Sequence, residues 1–355
     1  MRQLQEDVIN GTIPEEEYVK KMRGLDQWNQ GDIIYQKDLA ETLKRIAKNG
    51  RDGFYKGKTA DLIVDEMKSN NGLISHIDLE EYNSVYRDPI IGNYRGYTIA
   101  SMGPPSSGGP LIIQMLNMLE NFDVSSMKRN STQFVHMLTE IQRLAYADRA
   151  IHLGDPDFYP SPIPMLVSKD YAKKRLGLVS MDKATPSEEI AAGKSITESM
   201  ETTHYSAMDS FGNTVGITTT INLSYGNKKI VDGAGFLLNN EMDDFATSPG
   251  VQNAFGLIGY EANSIKPAKR PLSSMSPTIV LDPDGKPLMT IGAAGGSRII
   301  TTVLQVIISV VDHNLNVQDA INLGRTHSQW IPDVIRYEGK NNLNEKFNKF
   351  LPSLS

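Results

Sequence analysis

Thr202-Thr203-His204-Tyr205-Ser206-Ala207-Met208, Asp209-Ser210-Phe211-Gly212-Asn213 and Thr214-Val215-Gly216-Ile217-Thr218-Thr219-Thr220-Ile221-Asn222 follow one another as strand, turn and strand. β-Branched and aromatic residues crowd both arms, and Asp, Gly and Asn punctuate the turn between them. An odd-numbered loop centred on Phe211 sets Thr202 opposite Thr220 across the ladder. A slip of one residue would undo that pairing. In the second arm the period of two puts Thr218, Thr220 and Asn222 on one face and Val215, Ile217 and Ile221 on the other.

The residues upstream are of another kind. From Pro160 to Ser199 the chain is irregular and polar, with Pro162, Pro164, Pro186, Glu188 and Glu189, which predicts an exposed segment. Such a segment leads directly into a strand that begins at Thr202. Threonine favours strands for its own sake, and for an arbitrary pair of threonines that explanation suffices. Cleavage after Glu201, however, would give Thr202 an α-amine of its own. With a pKa of about 7.7 to 8.0, that amine suits a general base near neutral pH. No catalytic histidine is then needed, so His204 is expected to be a strand residue, and the other histidines show no metal-ligand spacing.

The first half of the chain carries helical patterns. Asp38 to Ala47 repeats apolar residues at helical spacing and stops at Asn49-Gly50, Ala60 to Met67 stops at Asn71-Gly72, and Ser75 to Asp78 resembles a capping box. Ile90 to Met102 is strand-like until Gly103-Pro104-Pro105-Ser106-Ser107-Gly108-Gly109 breaks it before an apolar helix from Leu111 to Leu119. Asn130-Ser131 should cap a helix whose inner face is Phe134, Met137, Leu138, Ile141 and Leu144. Beyond the Thr202 hairpin, Ser276 to Leu281 and Pro287 to Ile291 flank the turn Asp282-Pro283-Asp284-Gly285, and Ile299 to Val311 is a buried helix. Helices, then antiparallel strands, then a helix suit an α+β fold with layered sheets between helices.

Bulk properties narrow the chemistry. With 39% hydrophobic and 22% charged residues, 29 Gly and 18 Pro among 355 residues, the composition is that of a folded globular chain. A net charge of −6 without a long basic run argues against nucleic acid or an acidic membrane surface as partner, and favours a small molecule. The absence of cysteine excludes disulfides, thiolate nucleophiles and thiolate-bound metals. Met1 to Lys20 is polar and holds no apolar signal core, and no apolar span reaches membrane length.

Three further stretches complete a candidate site. Gly292-Ala293-Ala294-Gly295-Gly296-Ser297 leads into a helix, so its backbone N–H groups can converge on a developing negative charge. A tight strand-to-helix turn explains the motif as well, whereas a nucleotide loop would need a Lys-Ser/Thr ending that is not there. Asn239-Asn240-Glu241-Met242-Asp243-Asp244 is a carboxylate cluster suited to a solvated turn, a calcium loop or the α-ammonium of an amino-acid-like ligand. Pro271-Leu272-Ser273-Ser274-Met275-Ser276-Pro277 offers hydroxyls to a carboxylate, or is a plain serine-proline loop.

Together these strings closely resemble the γ-glutamyltransferases, or glutathione hydrolases. The resemblance rests on Thr202 to Ser206, Thr218 to Asn222, Leu238 to Phe245, Arg270 to Thr278 and Gly295 to Arg298, with Gly103 to Gly109, Tyr146-Ala147-Asp148-Arg149 and Leu153 to Asp157 upstream. It implies a four-layer αββα sandwich, the N-terminal-nucleophile (Ntn) hydrolase fold. It also implies autocatalytic cleavage between Glu201 and Thr202 into a large-subunit part, 1–201, and a small catalytic subunit, 202–355, intertwined in one domain. By the same resemblance Thr202 is the nucleophile, Thr220 orients it, and Gly295 and Gly296 form the oxyanion hole. Asn222, Glu241 and Asp244 hold the α-amino end of a γ-glutamyl group, and Ser273 and Ser274 its carboxylate. Glutathione or similar γ-glutamyl compounds are the implied substrates, with water or an acceptor amino acid resolving the acyl-enzyme, no metal or cofactor, and an extracellular or periplasmic location.

The chain departs from the family pattern in three places. The front of the large subunit, with a secretion signal and the arginine that clamps the substrate carboxylate, and the closing C-terminal strands are expected to lie outside it. Phe255 stands in the lid-like stretch 249–259 where bacterial relatives commonly carry a tyrosine. A poly-γ-glutamate or β-lactam side-chain acylase with the same Thr202 chemistry, or an uncleaved chain with a binding role, are the competing expectations. Denaturing electrophoresis separates the last of these: maturation yields pieces of 201 and 355 − 201 = 154 residues. Thr202→Ala should leave one intact band, and cleavage that survives this change rules out Thr202.

Overall fold

The computed structural model describes residues 31, 33, 35–190, 202–246, 248, 250, 251, 253 and 257–338. Glu201, Phe255 and the stretch from Asn341 to Ser355 lie outside the described residues. Contacts group the chain into two compact units, Met1–Val85 with Tyr225–Asn239, and Tyr86–Ser224 with Asn240–Ser355.

The smaller unit holds helices α1 (Lys37–Asn49), α2 (Gly57–Ser69) and α3 (His76–Glu81). The first ends where Asn49-Gly50 predicts, with Gly50 at φ +57° returning its N–H to the Ile46 carbonyl. Ser75 caps α3 in the anticipated box, its hydroxyl accepting from the Asp78 amide while the Asp78 carboxylate accepts from the Ser75 amide at 2.7 Å. Ala60, Ile63, Val64 and Leu79 close on Val231 and Ala234 in a small apolar cluster. The Thr42 hydroxyl donates to the Ala234 carbonyl at 2.9 Å and ties α1 to the same segment.

The larger unit holds strands β1 (Ile90–Tyr94), β2 (Tyr97–Ser101), β3 (Thr203–Met208), β4 (Thr214–Thr219), β5 (Thr278–Leu281) and β6 (Pro287–Ile291), and helices α4 (Gly108–Leu119), α5 (Thr132–His152), α6 (Lys169–Leu176) and α7 (Arg298–Val311). An antiparallel sheet runs in the order β1-β2-β5-β6. The single strand-like stretch expected from Ile90 is two strands, reversed at Arg95-Gly96, both with positive φ. β2 pairs with β5 from Thr98↔Leu281 to Ser101↔Thr278, so residues far apart in sequence share one ladder.

Helix α4 lies on this sheet and is buried along its whole length, with α5 and α7 packed against it. The anticipated inner face of α5 is buried, yet so are Gln142, Arg143, Asp148 and Arg149, because this helix is enclosed on several sides. Burying such groups requires partners. Gln142 accepts from the Ser328 amide at 2.8 Å, and Asp148 pairs with Gln114 at 2.6 Å and with Arg175 at 3.2 Å. In α7, Gln305 likewise exchanges bonds of 2.7 and 3.1 Å with the Thr326 backbone.

The stretch expected to be exposed and irregular is partly ordered into the core. Pro162 and Pro164 open a helical turn, Ile163–Leu166, at positions where a missing N–H is harmless, and Ser168 caps α6. Leu166 and Ala172 are buried. Proline at the start of a helix does not break it. Residues 191–201 lie outside the described residues.

β3 and β4 pair in the register set by a loop centred on Phe211, from Thr203↔Thr219 to Met208↔Thr214. Hydroxyls and the imidazole occupy the inner face against β6: Ser206 donates to the Thr290 carbonyl at 3.2 Å, and His204 bonds Thr218 at 2.8 Å and Ser206 at 2.9 Å. The outer face is apolar and exposed among the described residues, with Tyr205 at 54%, Val215 at 45% and Ile217 at 37%. His204 also abuts Gly292, where a Cβ would stand 2.1 Å from Nδ1. Gly292→Ala should therefore displace the imidazole from both of its partners and cost about 1–3 kcal/mol, seen as a lower urea midpoint at unchanged slope.

Candidate active site

The hairpin delivers Thr202 and Thr220 to one pocket. Both lie one residue past the last ladder pair, Thr203↔Thr219, and the Thr202 hydroxyl donates to the Thr220 hydroxyl at 3.3 Å. Thr220 Oγ1 also accepts from the Asn222 amide at 2.8 Å, which bends the strand exit inward. Asn222 then adopts φ +74°, a conformation that asparagine tolerates better than most residues, and is 3% exposed.

Asn240 ties the acidic turn to this exit. Its backbone accepts from Asn222 Nδ2 at 3.1 Å and its side chain accepts from the Leu223 amide at 3.0 Å. The turn Glu241–Asp244 is thereby held with Glu241 and Asp244 on the pocket. Loss of water there pushes Glu241 up to about 7. Asp244 is pushed up to about 8, first by desolvation and then by the charge of Glu241, against the pull of Arg149. Asn263, which the sequence reading passed over, links this turn to the serine loop: it donates to the Asp244 carbonyl at 2.7 Å and accepts from the Leu272 amide at 3.0 Å.

Ser273 and Ser274 line the same pocket. Their loop lies parallel to the 103–109 loop, bridged at Ser106↔Ser273. Ser273 donates its amide to the Pro105 carbonyl at 2.8 Å, the Ser107 hydroxyl donates to the Ser273 carbonyl at 2.8 Å, and the Ser106 hydroxyl donates to the Met275 carbonyl at 2.6 Å. A Cβ on Gly108 would meet Ser276 Oγ at 2.3 Å, so the loops lie this close only with glycine there. From sequence the 103–109 motif announced only a break before a helix; here it is the brace behind the serines.

Gly296 lines the pocket beside Thr202, and Gly295 precedes it, with φ +54° and +119° respectively. Their carbonyls accept from the Ile299 and Arg298 amides in the first turn of α7. The Tyr146 hydroxyl donates to the Ser297 carbonyl at 2.5 Å, and Ser297 Oγ donates to Gln329 at 2.6 Å. Gly296 and Ile299 thus bring the start of α7 to the pocket that Thr202 and Thr220 line. Of the residues singled out from sequence, Thr202, Thr220, Asn222, Glu241, Asp244, Ser273, Ser274 and Gly296 meet in one pocket, Gly295 adjoins it, and Glu201 lies outside the described residues. Among the described residues no His, Asp and Glu cluster could hold a metal ion, and no helix is long and apolar enough to cross a membrane.

Helices on one side of a sheet, a hairpin on the other, and a threonine opening that hairpin define an Ntn hydrolase fold. The gamma-glutamyltranspeptidase family model matches residues 14–354, and the chain belongs to that family. The glutathione hydrolase proenzyme of Escherichia coli K12 is 50% identical over 310 residues, 87% of this chain and 53% of that protein. The acylase ACY 1 proenzyme of Pseudomonas sp. SE83 is 39% identical over 84% of this chain and 51% of that protein. The chain thus spans about half the length of these relatives. Among solved structures, cephalosporin acylase from Bacillus halodurans shares the fold with a TM-score of 0.78 at 20% identity, over 98% of this chain and 61% of that one.

A carboxyl whose pKa is raised by folding holds its proton better in the folded than in the unfolded chain. The folded state is therefore favoured at low pH and loses that advantage as pH rises through about 8 for Asp244. Asp244→Asn should raise the urea midpoint relative to the parent protein at about pH 9, and by much less at about pH 5.

Proposed function

We propose that the chain carries the catalytic site of a γ-glutamyl transfer and hydrolysis enzyme acting on glutathione or related amides. The observation that carries this reading is the pocket itself, in which a threonine hydroxyl, two carboxylates and two serine hydroxyls face one space. A ligand that fits has a reactive carbonyl at one end and an α-amino acid at the other. Asn222, Glu241 and Asp244 receive its ammonium, and Ser273 and Ser274 donate to its carboxylate.

In this scheme Thr202 first attacks the carbonyl of Glu201, and an N-to-O acyl shift and hydrolysis leave two subunits of one precursor. The freed α-amine then takes the proton of the Thr202 hydroxyl as its oxygen attacks the γ-carbonyl. Thr220 holds that hydroxyl in line, and the Gly295 and Gly296 amides stabilise the oxyanion. The amine leaves with a proton, and water or an acceptor amino acid releases the γ-glutamyl group from Thr202. The site calls for no cofactor, and a location outside the cytoplasm belongs to the same proposal by family resemblance.

An acylase reading, favoured by the likeness to the acylase ACY 1 proenzyme, keeps the Thr202 chemistry but leaves the acidic turn without an ammonium to bind. Anilide substrates distinguish the two. Release of the chromophore from a γ-glutamyl anilide should exceed that from a glutaryl anilide, which lacks the amine, by about a hundredfold in kcat/KM. Only ionised Glu241 and Asp244 pair with the ammonium, and only the neutral α-amine accepts a proton, so kcat/KM should climb between about pH 6 and pH 9. Preference for the glutaryl compound would establish the acylase reading instead.

A further inference from the structure

Arg149, in the last turn of α5, is 3% exposed and lies behind the double-serine wall. Its Nε donates to Ser107 Oγ at 2.9 Å, and its Nη2 donates to Ser274 Oγ at 3.4 Å and to the Leu272 carbonyl at 3.5 Å. All three acceptors are neutral oxygens. A buried guanidinium is ordinarily paired with a carboxylate, because desolvating its charge is costly. Here that cost depresses the group to about 10, which still leaves it cationic at neutral pH, and its charge favours the ionised form of Asp244.

Ser107 extends the arrangement. Its hydroxyl accepts from Arg149 and donates to the Ser273 carbonyl at 2.8 Å. One cation therefore holds the backbone of Ser273 and the side chain of Ser274. A guanidinium can only donate, so its bond to Ser274 uses an oxygen lone pair and leaves the O–H free to turn outward.

We propose that Arg149 is a positioning residue for the carboxylate-binding wall: it aims the Ser274 hydroxyl proton into the pocket and sets a positive charge behind it, selecting ligands with an α-carboxylate. This deepens the γ-glutamyl reading and rests on it. The pairing of a neutral serine wall with a buried cation suits a carboxylate better than an apolar acyl group, since the field of the guanidinium is screened little inside the protein.

The test is calorimetric binding of L-glutamate and of 4-aminobutyrate, its counterpart without the α-carboxylate, to the full chain and to Arg149→Lys, Arg149→Met and Ser107→Ala. The parent should prefer L-glutamate. Arg149→Lys keeps the charge but not the fork and should weaken L-glutamate about tenfold while leaving 4-aminobutyrate within about twofold. Arg149→Met should weaken L-glutamate roughly a hundredfold, and Ser107→Ala about threefold. Asp244 is faced by Glu241 and Asp243 from its own turn and by Arg149 from α5, so Arg149→Met should also shift the low-pH loss of affinity to higher pH. Should Arg149→Met fail to fold, Arg149→Lys and Ser107→Ala carry the test. Equal weakening of both ligands, or none, in these two variants makes Arg149 a structural cation and overturns the proposal. A parent that does not prefer L-glutamate overturns the γ-glutamyl reading instead.

Discussion

The register of the β3–β4 hairpin is the constraint on which the site depends. An odd-numbered loop places Thr202 across from Thr220, and a shift of one residue would turn over the faces of one strand relative to the other. The hydroxyls of that strand would then meet solvent, and its apolar side chains would press inward in their place. That the polar face turns inward reverses the usual economy of a two-layer sheet. It is sustained by a chain of side-chain bonds, His204 to Thr218 and Ser206, Ser206 to Thr290, which gives the polar groups of that face partners.

The acidic turn and the serine loop bring groups of unlike electrostatic character to one pocket. Desolvation raises Glu241, and desolvation together with the charge of Glu241 raises Asp244. The serine loop supplies hydroxyls, with the positive Arg149 behind them. The pocket thus has two carboxylates kept in an environment that their own solvation opposes. Such stored cost is common at functional sites, where a ligand of matching charge relieves it.

Much of this was legible in the residues. The hairpin register followed from the Asp209–Asn213 turn, the α1 stop from Asn49-Gly50 and the α3 start from Ser75 and Asp78, because each depends on local chemistry within a few residues. The pocket residues were also named, though largely because their strings resemble a family rather than because spacing alone demanded them. What escaped were relations between distant segments. Asn263 joins the acidic turn to the serine loop, Ser106 and Ser107 brace that loop from 166 or more positions away, and Tyr146 steadies the start of α7. No periodicity encodes such contacts. The prolines at 162 and 164 misled for a related reason, since whether a proline breaks a helix or begins one is decided by the core it meets.

The β2–β5 ladder, finally, joins residues 98–101 to residues 278–281, on either side of the Glu201–Thr202 bond. While that bond is whole, the ladder is an ordinary intramolecular pairing. If the bond is cut, the same hydrogen bonds become an interface between two polypeptides, and unfolding becomes a dissociation. The stability of the mature protein would then depend on its concentration, while that of the precursor would not. Once separated, the two pieces would also have to find one another again, at a rate set by collision rather than by chain connectivity.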